Sequence, residues 1–205
     1  TDGGGTAESK ASSATGAVSD IPIINLSTLD GTNGFRLDGV AAGDNSSYQV
    51  SSAGDINGDG YDDLIIGARY ADNNGSNSGS SYVVFGTGNA FASKVNLSTL
   101  DGTIGFRLDG VAVEDFSGTT VSSAGDINGD GYDDLIIGAY GADPNGGFSG
   151  SSYVVFGSGN AFASTVNLST LNGTTGFRLD GEAVLDESGY SVSSAGDVNG
   201  DGYDD

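Results

Sequence analysis

The sequence has no cysteine, no histidine, no tryptophan and no methionine. Without cysteine there is no disulfide framework, so stability outside a cell would have to come from elsewhere. Without histidine and cysteine, the usual general base and the usual thiol nucleophile are both missing. Basic residues are scarce. Six Lys plus Arg stand against 28 Asp plus Glu, a formal net charge of −22. That balance excludes nucleic acid, whose phosphates need cationic side chains, and anionic membrane surfaces for the same reason. No apolar run approaches the roughly 20 residues of a membrane-spanning helix, so no membrane insertion is expected. The four glutamates, at 8, 114, 182 and 187, fall at no fully repeated position. A carboxylate pair could in principle cleave glycosides, but the Asp clusters are better explained by a bound cation, and the chain is not expected to be an enzyme.

What is present is regular. Hydrophobic residues make up 36% and recur in blocks, which argues against disorder. An acidic chain that folds is a candidate carrier of cations. The segment beginning Asn25-Leu26-Ser27-Thr28-Leu29 returns at Asn96 and Asn167, an offset of 71 residues each time (96 − 25 and 167 − 96). Gly34-Phe35-Arg36-Leu37-Asp38-Gly39 and Asp55-Ile56-Asn57-Gly58-Asp59-Gly60-Tyr61-Asp62-Asp63 return with the same offset. About 80% of positions agree between the first two copies, as in repeat arrays. The repeats are placed at 25–95, 96–166 and 167–205, the third incomplete, after a flexible Gly/Ser/Ala-rich leader at 1–24. Differences between copies cluster at 42–49 against 113–120 and at 69–77 against 140–148, as expected of exposed loops on a packed scaffold.

Four strands are expected in each repeat: Gly34 to Val40, Tyr48 to Gly54, Asp63 to Ala68 and Ser81 to Gly86. Leu64-Ile65-Ile66 and Tyr82-Val83-Val84-Phe85 are short β-branched and aromatic runs bounded by Gly. Helix is limited to one turn at Leu26 to Leu29 or Ala90 to Ser93. The expected class is all-β, with four-stranded antiparallel propeller-type blades in tandem. Tyr82, Phe85, Tyr153 and Phe156 are assigned to the core. Arg36, Arg107 and Arg178 are expected to pair with a neighbouring Asp across the sheet. Asn25, Asn45, Asn74, Asn96, Asn167 and Asn172 begin N-x-S/T triplets, which arise easily by chance in such loops.

The most specific feature is the loop D-x-N-x-D-G-x-x-D. Calcium is a hard cation that takes about 6–8 oxygens. Asp55, Asn57 and Asp59 alternate, so their side-chain oxygens can converge as the loop curls. Gly60 permits the sharp turn, Tyr61 offers its backbone carbonyl and Asp63 closes the set. Asp126, Asn128, Asp130, Tyr132 and Asp134 repeat the set, as do Asp197, Asn199, Asp201, Tyr203 and Asp205. One Ca2+ per repeat, up to three, is expected. An EF-hand would need a bidentate Glu at its twelfth position and flanking helices. Ile66 and Ile137 hold that position, inside apolar β runs. Magnesium prefers a tighter, more hydrated octahedron. Asp62, Asp133 and Asp204 are read as solvated neighbours that point away from the ligand Asp. Metal would cancel repulsion among three carboxylates, with affinity on the order of 10⁻⁴–10⁻³ M.

Val50 to Ala68 followed by Tyr82 to Gly86, and Val121 to Ala139 followed by Tyr153 to Gly157, resemble the FG-GAP repeats of integrin α-subunit propellers. The resemblance covers about 24 to 205. It implies a calcium loop between the first and second strands of a blade, an extracellular setting and, for bacterial members, secreted or surface adhesins. A closed propeller of this family needs seven blades and fewer than three are found here, so either most of the parent protein is absent or chains complete one another; the second alternative gives the expectation of self-association head to tail, into a filament or ring. Three roles stay open: a calcium-stabilised structural or adhesive repeat protein, a propeller that binds protein or carbohydrate through its variable loops, and an accessory module of a secreted hydrolase or lyase.

Overall fold

The computed structural model describes residues 24–205, so the leader lies outside the described residues apart from Ile24. Eleven strands are present among them: β1 (Arg36–Asp38), β2 (Gln49–Gly54), β3 (Asp63–Ala68), β4 (Ser80–Val84), β5 (Lys94–Asn96), β6 (Gly105–Asp109), β7 (Thr120–Gly125), β8 (Asp134–Ala139), β9 (Ser151–Val155), β10 (Thr165–Asn167) and β11 (Gly176–Asp180). Single 3-10 turns cover Leu26–Thr28, Leu97–Thr99 and Leu168–Thr170. Each turn is opened by an Asn whose side chain accepts the N–H two residues on: Asn25, Asn96 and Asn167. This Asx geometry accounts for the Asn at that position. The stretch Ala90 to Ser93 is not helical.

The chain is all-β, and its sheets are mostly antiparallel. One sheet runs β10-β6-β4-β3-β2 and a second runs β11-β9-β8-β7. In both, three consecutive strands come from one repeat and the outer antiparallel strand comes from the start of the next. The strand expected at Gly34 to Val40 therefore does not join the sheet of its own repeat. It shortens to β1, which pairs in parallel with β5. Likewise β10 adds to β6 in parallel, so the first sheet is five-stranded and mixed rather than four-stranded and antiparallel. Lys94–Asn96 and Thr165–Asn167 carry no strand signal beyond one and two β-branched residues, respectively. They are strands because an open edge lies beside them.

Strand faces follow from the register. Ile65 lies opposite Val83, and Val83 opposite Phe106, so these three share a face. That face packs on Val121, Leu135, Ile137, Tyr153 and Val155 of the second sheet in a single core. The opposite face carries Ile66, Tyr82 and Val84 against Leu97 and Leu100. Strands β3 and β4 are thus covered on both sides, which is why their sequences run apolar instead of alternating. Phe106 stacks on Phe162 with ring centroids 4.4 Å apart. The two sheets approach most closely at β2 and β7.

Arg36, Arg107 and Arg178 pair with Asp38, Asp109 and Asp180, two residues along the same strand. The pairing expected across the sheet is replaced by one within a strand, because positions i and i+2 share a face. Across the sheet, Asp109 instead accepts from the Ser80 hydroxyl at 2.9 Å. Tyr82, Phe85 and Tyr153 are buried as core residues, and Phe156 is half-buried against Phe177.

Candidate calcium loops

The acidic loop is the turn between β2 and β3, and again between β7 and β8. A β-bulge precedes it: the register shifts between Ser52 and Gly54, with Gly54 opposite Asp63. Gly54 (φ 68°) and Gly60 (φ 88°) sit in the left-handed region that a side chain disfavours. The bulge turns the strand end so that the loop folds over its own first residue.

Asp55 organises the turn. Its Oδ1 accepts the N–H groups of Gly58 at 2.8 Å and Asp59 at 3.0 Å, and its Oδ2 accepts that of Gly60 at 2.8 Å. Asn57 Oδ1 accepts from Asp59 N–H at 2.9 Å, and Asp59 Oδ1 accepts from Tyr61 N–H at 3.0 Å. The second loop repeats these bonds around Asp126, Asn128 and Asp130. The third repeats them around Asp197, Asn199 and Asp201. All three turns therefore share these backbone bonds, although the Asn199 side-chain amide donates to Asp205, where Asn57 and Asn128 donate to Asp59 and Asp130.

Asp63 is different in kind. It is 1% exposed, and its counterpart Asp134 is wholly buried. Asp63 Oδ2 accepts from Ile56 N–H at 3.1 Å and its Oδ1 from Gly86 N–H at 2.7 Å, tying the loop to the end of β4. Asp134 does the same with Ile127 and Gly157. Burial pushes the Asp63 carboxyl up to about 7. The Gly86 and Ile56 N–H groups oppose that rise, and the carboxylates of Asp59 and Asp55 add to it. Asp134 is pushed up to about 6 by the same causes. In the third copy Asp205 is exposed, though it still accepts from Val198 N–H at 2.9 Å.

Among the described residues, no three carboxylates are gathered closely enough to hold a metal ion between them. The structure places Asp55, Asn57, Asp59, Tyr61 and Asp63 in one turn. The donor set nonetheless suits calcium. It consists of carboxylate, amide and carbonyl oxygens with no nitrogen or sulfur. Each carboxylate oxygen can accept twice. Asp55 Oδ2 and both oxygens of Asp59 and Asp63 accept one recorded bond each, so each keeps a free lone pair.

The raised Asp63 carboxyl has a pH consequence. A folded-state pKa above the unfolded value of 3.8 means that the folded chain holds the proton longer. The associated stability is complete below the unfolded value and is lost as pH rises through about 7. In excess chelator the melting temperature should fall between about pH 5.5 and about pH 7.5. In millimolar calcium the trend should flatten or reverse, because the metal needs the deprotonated carboxylate. Thermal melts at both pH values, with and without chelator, read this directly. A flat chelator series would remove the role given to Asp63.

Of the aspartates read as solvated, Asp62 is exposed. Asp133 and Asp204 are not free. Asp133 Oδ2 accepts from Asp55 N–H of the preceding loop at 2.8 Å, and Asp204 Oδ2 accepts from Asp126 N–H at 3.1 Å. Both point away from Asp134 and Asp205, the last Asp of their own loops, as strand alternation dictates. The direction they point in holds the neighbouring repeat, which only the stacking of sheets could reveal.

A tandem β-repeat protein with one acidic turn per repeat is what the fold and these loops define. The FG-GAP repeat family matches at residues 47–84 and 117–155. Integrin alpha-6 of Gallus gallus is 31% identical over 173 residues, covering 83% of this chain and 14% of that protein. Integrin alpha-6 of Homo sapiens is 30% identical over 167 residues, covering 80% and 13%. Integrin alpha-PS5 of Drosophila melanogaster is 33% identical over 104 residues, covering 51% and 10%. The chain carries FG-GAP repeats and is homologous to integrin α chains. It spans about one seventh or less of the length of these relatives.

Proposed function

We propose that the chain is a calcium-stabilised extracellular repeat protein of structural or adhesive role, built from propeller-type blades and without catalysis of its own. One Ca2+ is held per loop: by Asp55, Asn57, Asp59, Tyr61 carbonyl and Asp63; by Asp126, Asn128, Asp130, Tyr132 carbonyl and Asp134; and by the set from Asp197 to Asp205. The observation that carries this reading is the buried Asp63 and Asp134 carboxyls, with no basic side chain paired to either among the described residues. Buried carboxylates are ordinarily paired or coordinate a metal. The bound ion supplies the missing positive charge, and the residues themselves hold the β2–β3 and β7–β8 turns closed.

Self-association is part of the same proposal. Leu108 is wholly buried between the sheets, whereas its counterpart Leu179 is 51% exposed on the second sheet. Val184 and Leu185 nearby are exposed as well. A further sheet of the same kind, in the same chain or from a second copy, would cover that face. A second reading, ligand binding through the variable loops, is favoured by a groove of about 530 Å³ lined by Asp44, Tyr70, Asp72, Asn77, Phe116 and Tyr140. These residues come from the segments where the two copies differ.

Calcium calorimetry together with sedimentation mass, with and without chelator, tests the proposal. The expected result is up to three ions per chain and a mass that grows with calcium. Failure to bind calcium at millimolar concentration would remove the metal reading. A constant monomer mass would remove the assembly.

A further inference from the structure

Asp133 lies between two calcium ligands of its own loop, the Tyr132 carbonyl and Asp134. Its side chain nevertheless serves the loop before it. Asp133 Oδ2 accepts the N–H of Asp55 at 2.8 Å, and Asp133 N–H donates to the Asp55 carbonyl at 3.3 Å. Asp55 is the first ligand of that preceding loop. The contact requires Gly54, because a Cβ there would stand 2.2 Å from Asp133 Oδ2. One residue earlier, the ring of Tyr132 covers Gly58, where a Cβ would meet Cε1 at 2.2 Å. Ser158 N–H donates to the Ile56 carbonyl at 2.9 Å. So Asp55, Ile56 and Gly58 of one loop are all gripped by the next repeat.

The arrangement occurs twice. Asp204 Oδ2 accepts the N–H of Asp126 at 3.1 Å, and Asp204 N–H donates to the Asp126 carbonyl at 3.3 Å. A Cβ on Gly125 would meet Asp204 Oδ2 at 2.1 Å, and one on Gly129 would meet the Tyr203 ring. Asp62, the counterpart in the first loop, is exposed and has no such partner among the described residues. Two occurrences in one register, with glycines making room each time, point to a built contact.

We infer that adjacent calcium loops are coupled through these aspartates: occupation of one loop sets the clamp that holds its neighbour ready for metal. The inference rests on the calcium reading above. Binding at the second loop fixes Tyr132 and Asp134 on either side of Asp133. Asp133 then holds Asp55, and the Tyr132 ring covers Gly58, before an ion reaches the first loop. The second ion meets a loop whose ordering has already occurred, which gives positive cooperativity. By reciprocity, occupation of the first loop favours the second equally. Couplings of this kind span about 5- to 150-fold, and roughly tenfold is expected here. Asp133 and Asp204 are positioning residues, and neither is a ligand.

Calcium calorimetry on the full chain tests the inference through the ratio of stepwise affinities. Wild type should need interacting sites, with later ions bound about tenfold tighter than the first. Asp62→Ala should keep that ratio. Asp133→Ala should weaken the link to the first loop and lower the ratio there, while the second and third stay coupled through Asp204. A merely structural loss would lower thermal stability and leave the ratio unchanged. Asp204→Ala, which lies outside the two packed sheets, reads the second junction should Asp133→Ala fail to fold. Independent sites in wild type, or undiminished coupling in the clamp variants, would overturn the inference while leaving calcium binding intact. Absence of any binding would instead overturn the calcium reading itself.

Discussion

Chelation should lower the melting temperature of this chain by roughly 6–20 °C. Stabilisation by a bound ion is RT ln(1 + [L]/Kd). With affinities on the order of 10⁻⁴–10⁻³ M, calcium at about 10 mM contributes roughly 1.4–2.7 kcal/mol per loop. The two loops that join completed strand pairs then contribute about 3–5 kcal/mol together. For a chain of about this size, 1 kcal/mol corresponds to roughly 2–4 °C. The loops are placed to transmit this loss. Asp63 joins the turn to Gly86 after β4, and Asp134 joins its turn to Gly157 after β9. Opening a loop therefore loosens three strands of a sheet, including those whose Ile65, Val83, Leu135 and Val155 form the shared core. Differential scanning calorimetry in 10 mM calcium against excess chelator is the measurement. A shift of less than about 2 °C would mean that the loops hold themselves closed without an ion.

The second large effect is expected at Gly67. A Cβ on Gly67 would stand 2.0 Å from the carbonyl oxygen of Gly118, and one on Gly138 would stand 1.9 Å from that of Gly189. Both obstacles are backbone, so neither can swing aside as a flexible side chain could. In β3 this glycine is the point where one repeat's strand touches the chain entering β7. Gly67→Ala should push the two sheets apart and cost about 3 kcal/mol or more, the upper range for overpacking. The melting temperature should drop by roughly 6–12 °C. Gly60→Ala is the comparison. Its Cβ meets open space and only the φ of 88° is unfavourable, so about 1 kcal/mol is expected. Equal losses in the two variants would show that the spacing at Gly67 is not what holds the sheets in contact.

Much of this architecture can be read along the chain. Leu64-Ile65-Ile66 and Tyr82-Val83-Val84 announce β3 and β4, because β-branched and aromatic residues bounded by Gly fit a pleated sheet. The boundaries of β3 agree with the structure at both ends. The acidic turn between β2 and β3 is equally legible, since Asp, Asn and Gly at fixed offsets have local reasons to curl: Asp55 collects the N–H groups of Gly58, Asp59 and Gly60 from within five residues. The strand at Gly34 to Val40 was harder. Its alternation is real, but alternation does not name a partner. In the second and third copies Phe106 and Phe177 join the sheet of the repeat before, while in the first copy the strand shortens to Arg36–Asp38 beside β5. The short strands at 94–96 and 165–167 exist only because that edge needs hydrogen-bond partners.

Composition, the recurrence every 71 residues and the local chemistry of Asp, Asn and Gly determined the central strands β3 and β4, the acidic turns and the chemical nature of the loops, because each depends on residues close together in the chain. Which strand completes which sheet was decided only in the folded molecule, and so was the reach of Asp133 and Asp204 into the loop before them. The reason is geometric. A side chain's direction out of a strand is dictated by its neighbours in sequence, but what it meets there depends on how separate sheets stack.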